Sequence, residues 1–375
     1  MRVCHIITGL GKGGAESTLF KVLRCSTKES IISCVISLSR EAYYLEPIEN
    51  LGIRVHLCDL RGNSFAQKIK NTMHAFRIIN RFGPDLIQTW MYHADLFGSL
   101  YWLRHRNTPL VWNLRHSTMR WLKTKPATIF IRQILRLLSK FAPRRIICCG
   151  VSVKESHKLV GYAPDKLHII QNGFDFAAFA YSESARNTFR QRYGINSNEF
   201  ILANIGRWSP QKNQKMFLQI IARLKEGGFP IRALLAGHNC DASNLALVKI
   251  LEELNIRNIT TTLGMVNNTQ EFYSAADAVI SVSQYGEGFP NIIAEAKINN
   301  CPVIATDIGD TSMILGRSDF LVQTSSFEGL QNACESLLAN LRGRDLCRKG
   351  MMSNSTIISD SEMFQKYLKC WKEII

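Results

Sequence analysis

The chain alternates short apolar runs with longer amphipathic segments, and this alternation occurs twice along its 375 residues. Apolar runs followed by helical periodicity predict strands joined by helices, which is the pattern of a parallel, doubly wound sheet. With 46% hydrophobic residues, a chain of this length can form two ordinary cores. The sequence therefore predicts an α/β protein of two Rossmann-like domains that face a central cleft, where ligands of such sheets bind.

The predicted domains are residues 1–175 and residues 176–360, and the polar stretch 172–196 is interpreted as an irregular linker between them. In the first half the predicted strands are 1–8, 31–38, 55–58, 84–89, 110–114, 144–149 and 166–170, and the predicted helices are 15–25, 64–82 and 93–104. In the second half the predicted strands are 200–205, 232–236, 259–262, 278–282 and 302–306, and the predicted helices are 213–225, 245–254, 269–275 and 291–299.

Residues 283–295, SQYGEGFPNIIAE, form the turn between a predicted strand and a predicted helix. Such a turn directs backbone N–H groups and the positive end of a helix dipole toward the space above it, which suits an anion. Glu287 lies at the turn, and Glu295 lies further along, inside the helix. Two carboxylates beside an anion site suit a ligand with phosphates in the middle and hydroxyls at both ends, such as a nucleotide sugar.

Residues 8–16, TGLGKGGAE, place a glycine-rich turn after the first strand. The turn satisfies the G-x-G-x-x-G pattern of dinucleotide sites, which alone is weak evidence. The acidic residue that such a site usually has at the end of the second strand is replaced by Ser39 and Arg40, with Glu41 just beyond. Glycines that serve only a tight turn remain an alternative.

Arg207 and Lys212 flank Pro210 in the loop that follows the strand 200–205. Two cations at the carboxyl end of a parallel strand fit neutralisation of a departing diphosphate, a task that a divalent metal performs in other transferases. The alternative is a pair of solvated loop charges. The sequence contains no Asp-x-Asp motif and no His/Cys cluster with metal spacing, so we expect neither a metal nor another cofactor.

These segments resemble the motifs of the retaining glycosyltransferases of family 4, which have the GT-B fold. The segment 283–295 resembles the family's two-glutamate signature, and residues 8–16, 206–213 (GRWSPQKN) and 172–175 (NGFD) resemble its other motifs, in the family's order and spacing. The resemblance implies transfer of a hexose or N-acetylhexosamine from a nucleoside-diphosphate sugar to a glycan acceptor. It implies a same-face displacement in which the leaving phosphate assists deprotonation of the acceptor. It also implies a last helix, 361–375, that crosses back onto the first domain.

The resemblance assigns roles to individual residues. The catalytic set is His116, Glu287, Arg207 and Lys212. The donor-binding set is Gly13, Gly14, Arg207, Lys212, Gly237, Met265, Glu287, Gly288, Phe289, Pro290, Asn291 and Glu295. His93, Glu16 and Asn172 are expected near the acceptor or the cleft. Core roles for the histidines and a structural role for Asn172 are the alternatives, and Pro290 stands where many relatives have glycine.

The net charge of +16 requires anionic partners or serves only solubility. Residues 115–145 contain nine Lys and Arg and no acid, interleaved with apolar residues that include Trp121, a composition typical of a segment at an anionic membrane surface. The alternative is a surface helix with its apolar face on the core, and nucleic acid is not the expected partner. We expect a cytoplasmic, peripheral membrane enzyme of bacterial surface polysaccharide or lipopolysaccharide synthesis, acting on a lipid-linked acceptor. The cytoplasmic location rests on scattered cysteines and the lack of a long uncharged apolar run or signal peptide. The membrane association and the lipid-linked acceptor rest on the basic segment.

Three other functions remain open at this point. An NAD-dependent oxidoreductase is favoured only by the glycine-rich turn and leaves Glu287, Glu295, Arg207 and Lys212 unexplained. A nucleotide-sugar epimerase on a similar fold would release a changed sugar without an acceptor. A non-enzymatic basic protein that binds membrane would explain only the charge.

Overall fold

The computed structural model describes residues 1–60, 64–117, 126–316, 321–322, 326–340 and 356–375. The chain divides into two compact units. Unit 1 consists of Met1–Phe174 together with Ile358–Ile375, and unit 2 consists of Asp175–Ile357. Each unit contains a parallel sheet with helices, so the α/β class predicted from the sequence is confirmed.

In unit 1 the strands up to Phe174 are β1 (Arg2–Ile7), β2 (Ile32–Ser37), β3 (Arg54–Leu57), β4 (Leu86–Trp90), β5 (Leu110–Leu114), β6 (Arg145–Cys148), β7 (Leu167–Ile169) and β8 (Gly173–Phe174). The helices are α1 (Gly14–Ser26), α2 (Leu45–Glu49), α3 (Phe65–Phe82), α4 (Tyr92–Trp102), α5 (Pro126–Leu138) and α6 (Val151–Val160), with a 3₁₀ turn at Pro164–Lys166.

The strands of unit 1 are parallel in the order β3-β2-β1-β4-β5-β6-β7. Strands β4 and β5 are buried along their whole length, which is why their sequences are nearly continuous apolar runs. The order reverses direction between β1 and β4. At such a switch point the loops that leave the carboxyl ends of the two strands diverge and open a crevice.

Unit 2 contains helices α7 (Phe176–Phe179), α8 (Glu183–Arg192), α9 (Gln214–Glu226), α10 (Leu245–Glu253), α11 (Thr269–Ala275), α12 (Asn291–Ile298), α13 (Thr311–Leu315) and α14 (Phe327–Asn340). Its strands are β9 (Phe200–Ile205), β10 (Ile231–Ala236), β11 (Thr260–Gly264), β12 (Ala278–Ser281), β13 (Val303–Thr306) and β14 (Leu321–Val322), and a 3₁₀ turn lies at Arg257–Ile259. The sheet order is β11-β10-β9-β12-β13-β14, so the switch point of unit 2 lies between β9 and β12.

The prediction of an irregular linker at 172–196 is wrong, because the stretch contains β8, α7 and the ten-residue helix α8. Ser182 caps α8 by accepting a hydrogen bond from the Ala185 N–H at 3.2 Å. Arg186 on α8 pairs with the buried carboxylate of Asp277 at 2.8 Å. The helix is polar apart from a few contacts such as the buried Phe189, so it has no apolar face that a sequence pattern could reveal.

The chain returns to unit 1 at its end. Strand β15 (Ile358–Ser359) pairs with β8, and helix α15 (Asp360–Lys372) follows. The apolar face of α15 joins the core of unit 1, where each fully buried large side chain stabilises by roughly 1.5–3 kcal/mol. The buried side chains of this face are Met363, Phe364, Tyr367, Leu368 and Trp371.

Polar contacts fix both ends of α15. Asp360 at its start lies 2.7 Å from the guanidinium of Arg24 and 3.6 Å from the ammonium of Lys21, both on α1. Near its end, the Trp371 indole donates to the side-chain carbonyl of Gln88 on β4 at 3.1 Å. The helix is therefore held against α1 by charged contacts at its start and against β4 by a buried hydrogen bond near its end. Among the described residues, no helix is long and apolar enough to cross a membrane.

Replacing Asp360 with Asn should destabilise unit 1 by roughly 2 kcal/mol, because two cations lose a carboxylate that is nearly buried while they themselves are partly solvated. Urea denaturation followed by Trp fluorescence measures the loss. Glu373→Gln, at an exposed acid just after the same helix, is the matched control and should change stability by less than about 0.5 kcal/mol. Equal midpoints for the two variants would contradict an anchoring role for Asp360.

Candidate active site

The candidate site of unit 2 lies at the switch point, where the loops after β9 and β12 meet. The ammonium of Lys212, from the first loop, lies 2.7 Å from Glu287 Oε1, from the second. The Ser283 hydroxyl donates to the same oxygen at 3.0 Å, and the Gln211 amide lies at 3.5 Å from it. The side chains of Lys212 and Glu287 are only 21% and 11% exposed. A fixed ammonium and carboxylate are thus held side by side in a largely enclosed position.

The loop that carries Arg207 and Lys212 is held by one side chain of α9. The Gln214 amide donates to the backbone carbonyls of Gly206 and Arg207 at 3.1 and 2.9 Å, and its oxygen accepts from the Ser209 N–H at 3.3 Å. The Arg207 side chain is exposed and forms no ion pair within the part of the chain that the structure describes. The loop therefore presents one cation paired with Glu287 and a second that is available to an anion.

The turn that carries Glu287 is held by the loop between β13 and α13. The Asp310 N–H donates to the Gly288 carbonyl at 3.0 Å. Gly309 has φ +71°, and a Cβ there would lie 2.6 Å from the Gly288 oxygen and 2.7 Å from the Glu287 oxygen, so only glycine fits. Pro290 precedes the first residue of α12, Asn291, in extended backbone geometry. Gly288, Phe289, Pro290 and Asn291 thus line the start of α12, as the sequence predicts.

The second glutamate has a partner that the sequence analysis missed. The Tyr273 hydroxyl on α11 donates to Glu295 Oε2 at 2.8 Å. Tyr273 is fully buried, and burial together with the Glu295 charge raises the pKa of its phenol. The phenol therefore stays protonated and fixes one oxygen of the carboxylate. Nothing in the short sequence of α11 marks Tyr273, because its hydroxyl contacts a residue 22 positions away in the chain.

Gly237 follows β10, which lies next to β9 in the sheet, and Met265 follows β11, which lies on the far side of β10. Gly237 has φ +128°, and its N–H donates to the Gly264 carbonyl at 2.7 Å. A Cβ on Gly237 would collide with the Gly206 carbonyl, so the loop after β10 packs directly on the loop of Arg207. Met265 is 44% exposed beside this contact. Arg207, Gly237 and Met265 therefore follow three adjacent strands of the sheet at their carboxyl ends.

In unit 1 the glycine-rich turn after β1 already has a carboxylate against it. A Cβ on Gly9 or Gly11 would lie 2.7 or 3.0 Å from Glu41 Oε2, and the Leu10 N–H donates to the Glu41 carbonyl at 3.2 Å. The carboxylate of Glu16 lies against Gly13, beside Gly14 at the start of α1. Any diphosphate at this turn would meet like charge, which disfavours a dinucleotide there and equally disfavours the predicted donor contact at Gly13 and Gly14.

The histidine and asparagine candidates of unit 1 have different surroundings. His93 is exposed in the first turn of α4, and His116 is half-buried just after β5. Asn172 is buried and its side-chain oxygen accepts from Arg115 and, at 3.4 Å, from Thr18, which supports a structural role. The roles of His93, His116 and Glu16 in the cleft stay predictions.

A further histidine near His116 was not considered from the sequence. His157 on α6 is buried and its Nδ1 faces the Val153 carbonyl at 2.8 Å, so its Nε2 accepts from the Tyr92 hydroxyl, also at 2.8 Å. Burial lowers the pKa of His157 to about 4, with smaller contributions from the charges of Arg132 and His116. His157 is therefore a neutral core residue that supports the first turn of α4.

Two cations of the segment 115–145 point into unit 1 and are not available to a membrane surface. For these two residues the membrane interpretation of the segment is wrong. Arg115 points into unit 1, where its guanidinium donates to the Tyr367 hydroxyl at 2.9 Å and lies 5.1 Å from the Trp90 ring centroid. Arg132 is only 8% exposed on the inner face of α5. The sequence could not separate buried from exposed cations. Arg120, Trp121, Lys123 and Lys125 lie outside the described residues.

Comparison with protein families matches residues 12–178 to Glycosyltransferase Family 4 and residues 199–340 to Glycosyl transferases group 1. The chain is 25% identical over 325 residues to the glycosyltransferase EpsF of Bacillus subtilis, covering 82% of this chain and 79% of that protein. It is 23% identical over 379 residues to the capsular polysaccharide biosynthesis glycosyltransferase CapH of Staphylococcus aureus, covering 98% of each. It is 21% identical over 306 residues to the UDP-Gal:alpha-D-GlcNAc-diphosphoundecaprenol alpha-1,3-galactosyltransferase of Escherichia coli, covering 80% of this chain and 78% of that protein.

Solved structures share the fold across the whole chain. Anabaena Alr3699/HepE in complex with UDP and glucose superposes with a TM-score of 0.87 at 19% identity, covering 100% of both chains. WaaG, a glycosyltransferase of lipopolysaccharide biosynthesis, superposes with a TM-score of 0.73 at 12% identity, covering 100% of this chain and 99% of that one. At these identities the likeness shows the fold alone, and the predicted GT-B fold is confirmed.

Proposed function

The chain belongs to the glycosyltransferases, with a Glycosyltransferase Family 4 region followed by a Glycosyl transferases group 1 region, and we propose that it is a retaining, metal-independent enzyme. It transfers a hexose or N-acetylhexosamine from a nucleoside-diphosphate sugar to a glycan acceptor. The observation that carries this proposal is the enclosed contact between Lys212 and Glu287 beside the exposed guanidinium of Arg207, which forms no ion pair with any described residue. Two cations and a carboxylate at one switch point suit a diphosphate joined to a sugar.

In this proposal the two cations take the place of a metal ion. Arg207 and Lys212 neutralise the negative charge that develops on the leaving diphosphate, a stabilisation that is strong where water is largely excluded. Both are supplied by one loop that Gln214 holds in place, so little reorganisation is needed during the reaction. Anabaena HepE, which shares the fold, was solved with UDP and with UDP-glucose, which supports a uridine nucleotide as the donor.

The carboxylates select the two ends of the donor. Glu287 accepts hydrogen bonds from sugar hydroxyls, and Glu295, with one oxygen held by Tyr273, accepts them from the ribose. His116 contacts a sugar hydroxyl near the reacting bond. The acceptor hydroxyl attacks the anomeric carbon from the face that the phosphate leaves, and a phosphate oxygen takes the proton of that hydroxyl. The protein therefore supplies positioning and charge stabilisation rather than a nucleophile.

We further propose that the acceptor is lipid-linked and that the product belongs to a bacterial surface polysaccharide. CapH acts in capsular polysaccharide biosynthesis, and the Escherichia coli relative acts on a sugar carried by diphosphoundecaprenol. Such an acceptor lies in the cytoplasmic leaflet, which requires the enzyme to reach a membrane surface. This proposal is supported by an exposed surface of unit 1.

That surface is the apolar stripe of α5, which we define as Phe130 and Leu137 of the helix together with Phe141 in the turn that follows it. These side chains are 67%, 57% and 70% exposed, although Ile129 and Leu135 of the same helix are buried in unit 1. The helix thus has a buried apolar face and a second apolar stripe that is exposed to solvent and that the described residues of unit 1 do not cover. With the exposed Lys140 and Arg144 beside it, the stripe suits the interface of an anionic bilayer.

Glu287→Ala should lower the rate of sugar transfer, and of slow donor hydrolysis, about 5- to 150-fold. A sugar hydroxyl left without its acceptor in an enclosed site costs roughly 1–3 kcal/mol. Binding of UDP, measured by calorimetry, should persist because Arg207 and the loop after β9 remain. Glu253→Ala, which removes an exposed glutamate of α10, is the control. Transfer at the wild-type rate by Glu287→Ala would remove this residue from the donor site.

Activity should persist in excess EDTA, because Arg207 and Lys212 counter the diphosphate charge. Arg207→Ala should lower the rate about 10²- to 10³-fold, the range for losing one preorganised charge-stabilising group. Lys249→Ala on α10 is the control for loss of an exposed cation of unit 2. Loss of activity on chelation that magnesium restores would overturn the metal-independent mechanism.

The double variant Phe130→Ser, Leu137→Ser should bind lipid vesicles at least about 10-fold more weakly than wild type, since two exposed apolar side chains no longer enter the interface. Co-sedimentation with vesicles of phosphatidylcholine and phosphatidylglycerol measures this. The control is Leu245→Ser, Ile375→Ser, at residues that are 80% and 60% exposed elsewhere. Equal sedimentation of both variants would leave the apolar stripe without a membrane role.

A further inference from the structure

A cavity of about 390 Å³ lies in unit 1 where the end of α4, the chain after α5 and the 3₁₀ turn Pro164–Lys166 meet. It lies near Arg145, where β6 begins, and therefore at the amino-end edge of the sheet. His116 follows the other end of the neighbouring strand β5, so this amino-edge pocket is separate from the predicted catalytic edge of unit 1. Its cationic lining residues are Arg106, Arg144, Arg145 and Lys166.

The charges of the amino-edge pocket are not balanced. Four cations line it with one carboxylate, Asp165, and none of the four forms a salt bridge with any residue that the structure describes. The Lys166 ammonium donates instead to the Lys140 carbonyl at 2.8 Å, and the Nε of Arg145 is buried without a hydrogen-bond partner among the described residues. Gathering like charges without counter-ions is unfavourable, and a bound anion offsets that cost.

The surroundings of the pocket distinguish a lipid from a small free anion. Phe141 lines the pocket and belongs to the apolar stripe of α5, with the exposed Leu137 preceding it on the chain. At the α4 side, Leu103 is 46% exposed, next to Trp102, whose ring lies 5.5 Å from the Arg106 guanidinium carbon. Inorganic phosphate would need only the cations. Cations with exposed apolar side chains on both sides fit an anionic group that is joined to hydrocarbon.

We propose that the amino-edge pocket binds the phosphate headgroup of an anionic phospholipid in a bilayer, while the apolar stripe of α5 enters the acyl boundary. The pocket and the stripe are continuous through Phe141, so one lipid contacts both. The inference rests on the part of the proposed function that brings the protein to a membrane, and it does not depend on glycosyl transfer.

The test compares two charge-matched double variants of the full chain. Arg106→Glu, Arg144→Glu removes the two exposed cations of the pocket. Lys28→Glu, Arg54→Glu makes the same charge change at two exposed residues, one between α1 and β2 and one at the start of β3, the outermost strand on the side of the sheet away from β6. Partition onto vesicles of phosphatidylcholine and phosphatidylglycerol should fall about 30-fold for the pocket variant, from the contribution of each basic residue at an anionic surface. The control should lose less than about threefold, because distant charges are screened.

Three results would overturn the proposal. The first is equal partition of the two variants. The second is binding by wild type to pure phosphatidylcholine vesicles as strong as to those with phosphatidylglycerol. The third is stabilisation of wild type, but not of the pocket variant, by inorganic phosphate at constant ionic strength without any vesicle binding, which would assign the pocket to a free anion. Hydrolysis of nucleotide sugar by both variants, measured in solution without lipid, reports separately on the glycosyltransferase site and should equal that of wild type.

Discussion

The ion pair between Lys212 and Glu287 exists only because β9 and β12, which are distant in the chain, are neighbours in the sheet of unit 2. The sheet order reverses between these strands, so both loops leave the same edge and meet over the crevice that the reversal opens. The rest of the candidate site keeps this pair in place. Gln214 fixes the loop of Lys212, and Gly309 allows the close approach that fixes the turn of Glu287. If the two loops did not meet, Lys212 and Glu287 would be separate surface charges that could not bind one ligand together.

Unit 1 depends in a comparable way on the return of the chain in α15. Tyr367 of this helix accepts hydrogen bonds from Asn113 and Arg115, which flank the end of β5 and precede His116. The last helix thus orders the strand end that carries the predicted catalytic histidine. The amino-end edge of the same sheet carries unbalanced cations and exposed apolar side chains instead. The two edges therefore have different chemistry, one suited to the reacting sugars and the other to a membrane surface.

The sequence predicts most of this fold because strands buried on both faces are continuous apolar runs. The predicted bounds of β5 and β9 agree with the structure, since apolar runs there are flanked by turn residues. Those of α11 agree too, because Asn268 caps the helix by accepting from the Glu271 N–H. Helix α8 could not be predicted, because its stability comes from a cap and from pairing with Asp277 rather than from an apolar face. The glutamates and loop cations carry motif signals, but Tyr273 and Gln214 act through tertiary hydrogen bonds that leave no local pattern. The sequence does not distinguish Arg132 from the exposed cations of its segment, because charge in a sequence does not reveal burial.

The central claim is that the site takes a nucleoside-diphosphate sugar and retains the configuration of its anomeric carbon. The direct measurement follows slow hydrolysis of a panel of nucleotide sugars by proton NMR, without an acceptor. The account predicts that at least one is consumed in the presence of EDTA, and that the free sugar appears first with the donor's own anomeric configuration, before mutarotation. Release of the opposite anomer first would contradict retention. Consumption of none, with binding of NAD instead, would contradict the assignment of the site itself.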